Sequence, residues 1–391
     1  MDGNGLGDQV KLVSSLTRSG SSRGQSDSVV NSIRLCLDDA GWQAGGARIV
    51  YEDLDDGTEE RGSWDPELEA ANARRAAADS DVLAYIGTLD ADAAPYAIPI
   101  LNQAGPLLMI SPCNTYPGLT KPVSFAPEQP QVFYPTGKRN YARTAMSDDL
   151  QALGAAQWAH ELGAAGVYVL HDGEPYGRGV AEPFAEACRA LGVTVVAGPE
   201  AITRRADDYR ALADRIRRAR CDLVYYGGII QSGAGALWRD IRAAIPGIRM
   251  LAPDALFERA FLTDAGEAAE GTLITFGGIP SALLEGEGAR FYERYKRTYG
   301  VEPESYAGST YDAVTVILQA IETVGRRDRG AITEAVLATR DHEGLLGRWS
   351  FDENGDIDLS TITRIEVRDG DFAYLGTAEL APAVTSRSTV R

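Results

Sequence analysis

Nine short apolar runs, at residues 10–13, 49–51, 82–86, 107–110, 167–170, 193–196, 223–226, 250–251 and 273–276, constrain this chain more tightly than any other feature. Each is too short for a buried helix, and none shows the polar–apolar alternation of a half-exposed antiparallel strand. They therefore read as strands buried on both faces. Within each series the starts lie 23 to 39 residues apart, the length of a βαβ unit. Helical patterns fill the gaps: Val29, Ile33, Cys36, Leu37 and Ala40 share one face, Tyr209, Leu212, Ile216 and Ala219 a second, and Leu237, Trp238, Ile241 and Ile245 a third. Strands and helices in alternation give an α/β fold of doubly wound parallel sheets covered by helices on both faces.

A chain of 391 residues exceeds what one hydrophobic core organises, so two lobes are expected. The rhythm breaks once, across residues 122–142, where Pro122, Pro127, Pro130 and Pro135 interrupt any helix. That stretch reads as a lobe boundary, after which a second βα series begins. Beyond Gly278, Phe291, Tyr295 and Tyr299 mark one helix and Val314, Ile317, Leu318 and Ile321 another. The last fifty or so residues read as extended, with Asp369-Gly370 as a hairpin turn.

Charge and motif content exclude several classes of function. Thirty-eight Lys and Arg against 56 Asp and Glu give −18, a field that repels nucleic acid and anionic lipid. The longest uncharged stretch, residues 93–120, contains five prolines and cannot be a membrane-spanning helix. The start Met1-Asp2-Gly3-Asn4-Gly5-Leu6-Gly7 has neither the basic cluster nor the apolar block of a secretion signal. Taken literally it fits a cytoplasmic chain; it also fits a processed one that begins with a polar tether. Cys36, Cys113, Cys188 and Cys221 have no metal or dithiol spacing and read as buried free thiols. His160 lies in a helix, His171 at a strand end and His342 in a loop, none with a second His at ligand spacing, so no metal and no cofactor are expected. Gly233-Ala234-Gly235 fails as a dinucleotide fingerprint because Trp238 stands where the third glycine belongs, and there is no Walker loop.

What remains is a set of polar and small residues at the carboxyl ends of strands, where open α/β sheets bind ligands. Thr88 to Asp92 follow one strand and Ser111 to Thr115 the next; His171 to Tyr176, Gly227 to Ile229 and Asp254 follow three strands of the second series. A cleft lined from two lobes that close on a small solute is the economical arrangement.

Several segments in order along the chain resemble one family. They are Ile86-Gly87-Thr88, Ile98-Pro99-Ile100-Leu101-Asn102, Ile110-Ser111-Pro112-Cys113-Asn114-Thr115-Tyr116-Pro117, Val169-Leu170-His171-Asp172 with Tyr176-Gly177, Asp222-Leu223-Val224-Tyr225-Tyr226-Gly227-Gly228, and Trp349-Ser350-Phe351-Asp352 with Gly355-Asp356. Together they resemble the type I periplasmic binding proteins, most closely the leucine/isoleucine/valine-binding branch that serves ABC importers. The resemblance implies two lobes joined by three crossovers, residues 1–146 with 278–346 and residues 147–277 with 347–391, and a ligand in the cleft between them. It places Thr115 and the backbone at Cys113 near a ligand's amino and carboxylate groups, Tyr176 over its side and Asp254 opposite its ammonium. A charge-assisted bond in a dry cleft suits that last role. Each residue also has a purely structural reading: Asp254 as a helix cap, Thr115 as a turn residue before Pro117, Tyr176 as packing at a helix start.

Three positions depart from the family. Ala91 stands where a serine hydroxyl commonly holds a carboxylate, flanked by Asp90 and Asp92, which would compete for the same N–H groups. Arg23 replaces a first-loop aromatic and offers either an anion fork or a solvated cation. Ile229 makes one pocket wall more aliphatic. The function implied is an extracytoplasmic receptor, periplasmic or lipid-tethered, that hands a small polar, amino-acid-like metabolite to ABC permease subunits by closure and without covalent chemistry. A sensory or regulatory module of the same fold is the alternative; an enzyme has no residues to nominate.

Overall fold

The structure, a computed structural model, describes residues 5–20, 22–125 and 129–380. Residues 1–4 of the amino-terminal stretch and Pro127 lie outside them. The elements in chain order begin with β1 (Gln9–Leu16), α1 (Arg23–Asp39), β2 (Gln43–Ala44), β3 (Ala47–Asp55), β4 (Gly57–Thr58), β5 (Ser63–Trp64), α2 (Pro66–Ala78), β6 (Val82–Gly87), α3 (Ala94–Asn102), β7 (Leu108–Ser111) and β8 (Tyr141–Arg143). A second series runs α4 (Asp148–Glu161), β9 (Gly166–His171), α5 (Pro175–Ala190), β10 (Thr194–Ala201), α6 (Arg210–Ala219), β11 (Leu223–Gly227), α7 (Ala234–Ala244), β12 (Arg249–Ala252), α8 (Arg259–Ala265) and β13 (Thr272–Gly277). Then come α9 (Glu287–Tyr299), α10 (Ala307–Val324), α11 (Arg329–Leu337), β14 (His342–Gly344), β15 (Gly347–Trp349), β16 (Thr361–Arg368) and β17 (Asp371–Glu379).

The chain forms two compact units, Met1–Met146 with Pro280–Leu359, and Ser147–Ile279 with Ser360–Arg391, so it passes from one to the other at 146/147, 279/280 and 359/360. In the first unit the sheet order is β2-β3-β1-β6-β7-β8, parallel apart from the short β2. Both faces are dry, which is why the runs do not alternate: Leu12 and Val13 point opposite ways and both are buried. Helices α2 and α3 pack their alanines, Ile98 and Leu101 onto Val13, Tyr85, Met109 and Tyr141. Helix α2 starts where it does because Asp65 Oδ1 accepts the N–H groups of Glu67 (2.9 Å) and Leu68 (3.1 Å) and Pro66 pre-sets the first turn.

The second unit has the order β10-β9-β11-β12-β13-β16-β17, parallel through β13 and antiparallel in β16 and β17. Its core packs α4 and α5 against β9 and β11, with Phe184 stacked on Tyr225 at 3.9 Å. The β16–β17 turn has positive φ at both Asp369 (52°) and Gly370 (73°), the conformation of the tight hairpin turns that Asp-Gly favours.

Four sequence expectations are corrected. The proline-rich stretch 122–142 is not a boundary, because β8 at its end pairs with β7 in the first sheet. Residues 347–359 belong to the first unit rather than the second. Trp349 donates its indole N–H to the buried Asp312 (3.1 Å), and a Cβ on Gly355 would fall 2.6 Å from Tyr141 O. Residues 278–279 fall in the second unit, where Gly278 N–H donates to Thr361 O (2.7 Å) and Thr363 Oγ1 donates to Gly278 O (2.7 Å). His342 lies in β14, not a loop, with its ring on Trp349.

Candidate ligand-binding site

In the first sheet β3 lies on one side of β1 and β6 on the other, and in the second β10 lies on one side of β9 and β11 on the other, so in each the connections diverge at a switch point. Ligands of open α/β sheets bind outside the carboxyl ends of the strands at such points. They are the ends of β1 and β6 in the first unit and of β9 and β11 in the second.

At the first switch point Gly87 has φ +149° and an added Cβ would meet Ser15 O at 2.5 Å, so only glycine lets β6 lie this close to β1. The chain then turns through a buried polar knot. Asn114 Nδ2 donates to Thr88 O (2.9 Å) and Leu89 O (3.0 Å). Ser111 Oγ donates to Thr88 O (2.9 Å) and accepts from the N–H groups of Cys113 (3.1 Å) and Asn114 (2.9 Å). Cys113 and Thr115 are both buried in this knot. The Cys113 N–H that the resemblance offers to a ligand therefore points to Ser111.

Ala91 is buried and packs into the hydrophobic core of the unit. Asp92 is partly buried beside it, and α3 starts at Ala94 with Ala93 at the cap position. Arg23 opens α1 with its side chain 71% exposed and forms an ion pair with Asp27 at 3.5 Å, the geometry of a solvated helix-surface cation.

Asp90, named above as a flank of Ala91, is joined at this end of the sheet by residues that no sequence motif marks. Thr17 Oγ1 lies 2.8 Å from Asp56 Oδ1 and 3.3 Å from Asp90 Oδ2. Glu69 accepts from Ser15 Oγ (2.5 Å) and Tyr85 OH (2.8 Å). Burial pushes Glu69 up to about 7 and Asp90 up to about 6. Asp56, fully buried, is raised well above the usual carboxylate range by burial and by the Glu69 charge.

At the second switch point Asp172 organises the loops. Its Oδ1 accepts from Glu174 N–H (3.1 Å), and its Oδ2 accepts from Ile229 N–H (3.1 Å) and Ser232 Oγ (3.0 Å). A Cβ on Gly177 would sit 2.2 Å from that carboxylate and one on Gly228 2.9 Å from it, so both glycines are required for the packing. The motif residue Ile229 thus serves Asp172 through its backbone, with a half-buried side chain. Tyr176 OH donates to Asp254 Oδ1 at 3.1 Å. Asp254 opens a short 3-10 turn in which Pro253 holds the cap position. Two residues nominated separately, 78 apart in sequence, therefore meet at the carboxyl ends of β9 and β12.

A cavity of about 390 Å³ lined by Leu83, Gly105 and Arg327 opens at the amino ends of the first sheet's strands. Its arginines are spent on protein groups: Arg329 on the carbonyls of Val82, Ala77 and Ala104, and Arg327 on Gln9 O and Asp81. It is not a site of the switch-point kind. Among the described residues no group of three metal-ligating side chains converges, and no helix is long and apolar enough to cross a membrane.

The sequence pattern of the family described as periplasmic binding protein matches residues 9–363, nearly the whole chain. The chain belongs to that family. Among its relatives are the amino acid binding protein of Pseudomonas aeruginosa, 27% identical over 81% of this chain and 78% of the relative, and the Leu/Ile/Val-binding protein BraC3 of Rhizobium johnstonii, 27% identical over 85% and 84%. The crystal structure of the leucine binding protein LivK of Thermotoga maritima superposes with a TM-score of 0.81 at 25% identity, covering 96% of this chain and 99% of that one. The two parallel-sheet units are those of this family.

Proposed function

We propose that this chain is an extracytoplasmic solute receptor that captures a small polar metabolite and passes it to the permease subunits of an ABC importer. Residues of the carboxyl-end loops would contribute to binding, and no covalent step is involved. The Tyr176–Asp254 pair carries the reading: a hydroxyl and a carboxylate fixed on each other at 3.1 Å, where open α/β sheets bind ligands, orient an acceptor for a polar solute. Membership of a family of binding proteins supports it, as do relatives named for amino acid and Leu/Ile/Val binding.

A melting-shift screen of the full chain against amino acids, amides, amines and aromatic acids tests the proposal. A cognate solute at 100 times its dissociation constant adds about 2.7 kcal/mol to stability. The expected result is a shift with one chemical class, reduced in Asp254→Ala; absence of a shift with every class would remove the proposal.

A further inference from the structure

Where β1 passes into α1, three buried side-chain atoms that can donate a hydrogen bond have no acceptor among the described residues: Arg18 Nη1, Ser19 Oγ and Ser26 Oγ. They run from the carboxyl end of β1 into the first turn of α1, the end of the sheet where ligands of open α/β folds bind. Ser26 has no solvent exposure at all. Arg18 is held by one edge of its guanidinium: Nη2 lies 2.7 Å from Asp27 Oδ1 and 3.6 Å from Asp53 Oδ2, and the Arg18 backbone N–H donates to Asp55 Oδ1 at 2.9 Å. The other edge, Nη1, is left to present. Asp27 follows Ser26 in the chain, so the ion pair draws Arg18 onto the turn that carries the buried hydroxyl. A Cβ on Gly57 would fall 2.7 Å from Ser19 Oγ, so the loop after β3 leaves room beside that hydroxyl only because it has a glycine there.

A donor sealed from water and left without an acceptor is costly, and in a receptor that encloses its solute it is a place kept for an acceptor on that solute. The acceptor is not supplied by the carboxyl groups of Asp56, Glu69 and Asp90. Successive residues of a strand point to opposite faces, and Thr17 reaches Asp56 and Asp90 while Arg18 turns the other way, to Asp27 and Asp53. On Arg18's own face Asp27 also pairs with Arg23 at 3.5 Å, the charge of Arg34 acts on Asp53, and Asp55 is engaged by the N–H groups of Arg18 and Gly57. The donors that the family resemblance offers to a carboxylate are missing from their expected place: Ala91 has no hydroxyl, and the Cys113 N–H donates to Ser111 Oγ at 3.1 Å.

We propose that Arg18, Ser19 and Ser26 form a carboxylate-binding site on the β1–α1 loop, which makes the solute an organic acid anchored one strand away from the place the family resemblance implies. The proposal rests on the receptor reading above. A carboxylate has two oxygens to accept from a guanidinium edge and two hydroxyls, and the bond to Arg18 is charge-assisted. It carries a single negative charge; a phosphate or other dianion would be repelled more strongly by Asp27, Asp53 and Asp55 around the same loop. The anion contact that the sequence offers at Arg23 thus falls to Arg18, five residues earlier, because Arg23 stands in solvent.

The test is isothermal titration calorimetry of the full chain with three acids and their amides: leucine and leucinamide, benzoate and benzamide, succinate and succinamide. The expected result is binding of at least one acid, with its amide weaker by about tenfold or more, since a hydrogen bond to a charged group is at stake. Ser26→Ala should weaken that acid about tenfold while leaving the urea midpoint unchanged, because the hydroxyl has no partner within the protein to lose. Arg18→Gln should weaken it by at least tenfold; should that variant not fold, Ser26→Ala decides alone. An acid and its amide binding alike, or acid binding indifferent to Ser26→Ala and Arg18→Gln, overturns the site and leaves the receptor reading standing. Failure of all three acids overturns the carboxylate class; failure of the wider melting screen as well removes the receptor reading with it.

Discussion

Replacing Arg143 by Met removes the most heavily engaged buried cation of the first unit. Arg143, with no solvent exposure, donates Nε to Asp356 Oδ1 (2.8 Å), Nη2 to Asp356 Oδ2 (3.0 Å) and Thr120 Oγ1 (2.6 Å), and Nη1 to Tyr116 O (2.7 Å). It stands three residues before the 146/147 crossover, and Asp356 three before the one at 359/360, so one ion pair roots two of the three passages between units. Breaking a buried pair on one side costs about 3–5 kcal/mol, chiefly through the charge left behind. Lys121 stays within 3.3 Å of Asp356 and softens the loss, which puts Arg143→Met near 3 kcal/mol. Amide hydrogen exchange reads this directly, because about 3 kcal/mol corresponds to a drop in protection of roughly two orders of magnitude. The drop is expected in β1, β6, β7 and β8, with the strands of the second unit unchanged. Pairing the mutation with Asp356→Leu should cost less than the sum of the singles. The sign of the pH dependence also follows. Burial alone would raise Asp356, but the charges of Arg143 and Lys121 and the hydrogen bonds from Arg143 and Thr120 more than offset it and hold the carboxyl below its ordinary range. Its contribution is therefore present above about pH 4 and is lost as pH falls through the lower folded value, and Arg143→Met should erase that acid-side slope. A loss of protection below fivefold in the first unit would refute the reasoning.

Three further outcomes are expected. Tyr176→Phe should lower stability by about 0.5–1.5 kcal/mol, from a lost hydrogen bond to a carboxylate, and should weaken solute binding; urea unfolding and titration calorimetry measure the two effects. Glu69, raised by burial to about 7, takes up a proton on folding, so stability should fall as pH rises from about 4.5 to 7. Glu69→Gln should flatten that stretch of a urea-midpoint profile. Burial pushes the thiols of Cys36 and Cys188 up to about 12, so neither should react with iodoacetamide at pH 8 in the native chain, whereas urea should make both reactive.

The β-rich skeleton was legible because its strands are buried on both faces and so carry unbroken apolar runs at βαβ spacing. Strand β8 was not, because three residues with an arginine at the end look like a loop until Asp356, 213 positions later, is known to neutralise Arg143. The same distance hid the placement of residues 347–359: Trp349 finds its partner in Asp312, on a helix 37 residues upstream. At the site, Tyr176 and Asp254 were nominated one at a time, and only the β9–β11–β12 order brings them together. The carboxyl cluster of Asp56, Glu69 and Asp90 left no motif at all. Its members come from three different elements, and a single acidic residue in sequence carries no sign of burial. Asp90 was noticed only as a neighbour of Ala91.

Capture without conversion is tested most directly by incubating the purified full chain with the solute that gives the largest melting shift, removing the unbound excess, and denaturing the complex for mass spectrometry. One molecule of solute per chain, at its original mass, is the expected recovery. A changed mass, or a product accumulating in the surrounding buffer in excess over protein, would contradict a receptor and point to an enzyme.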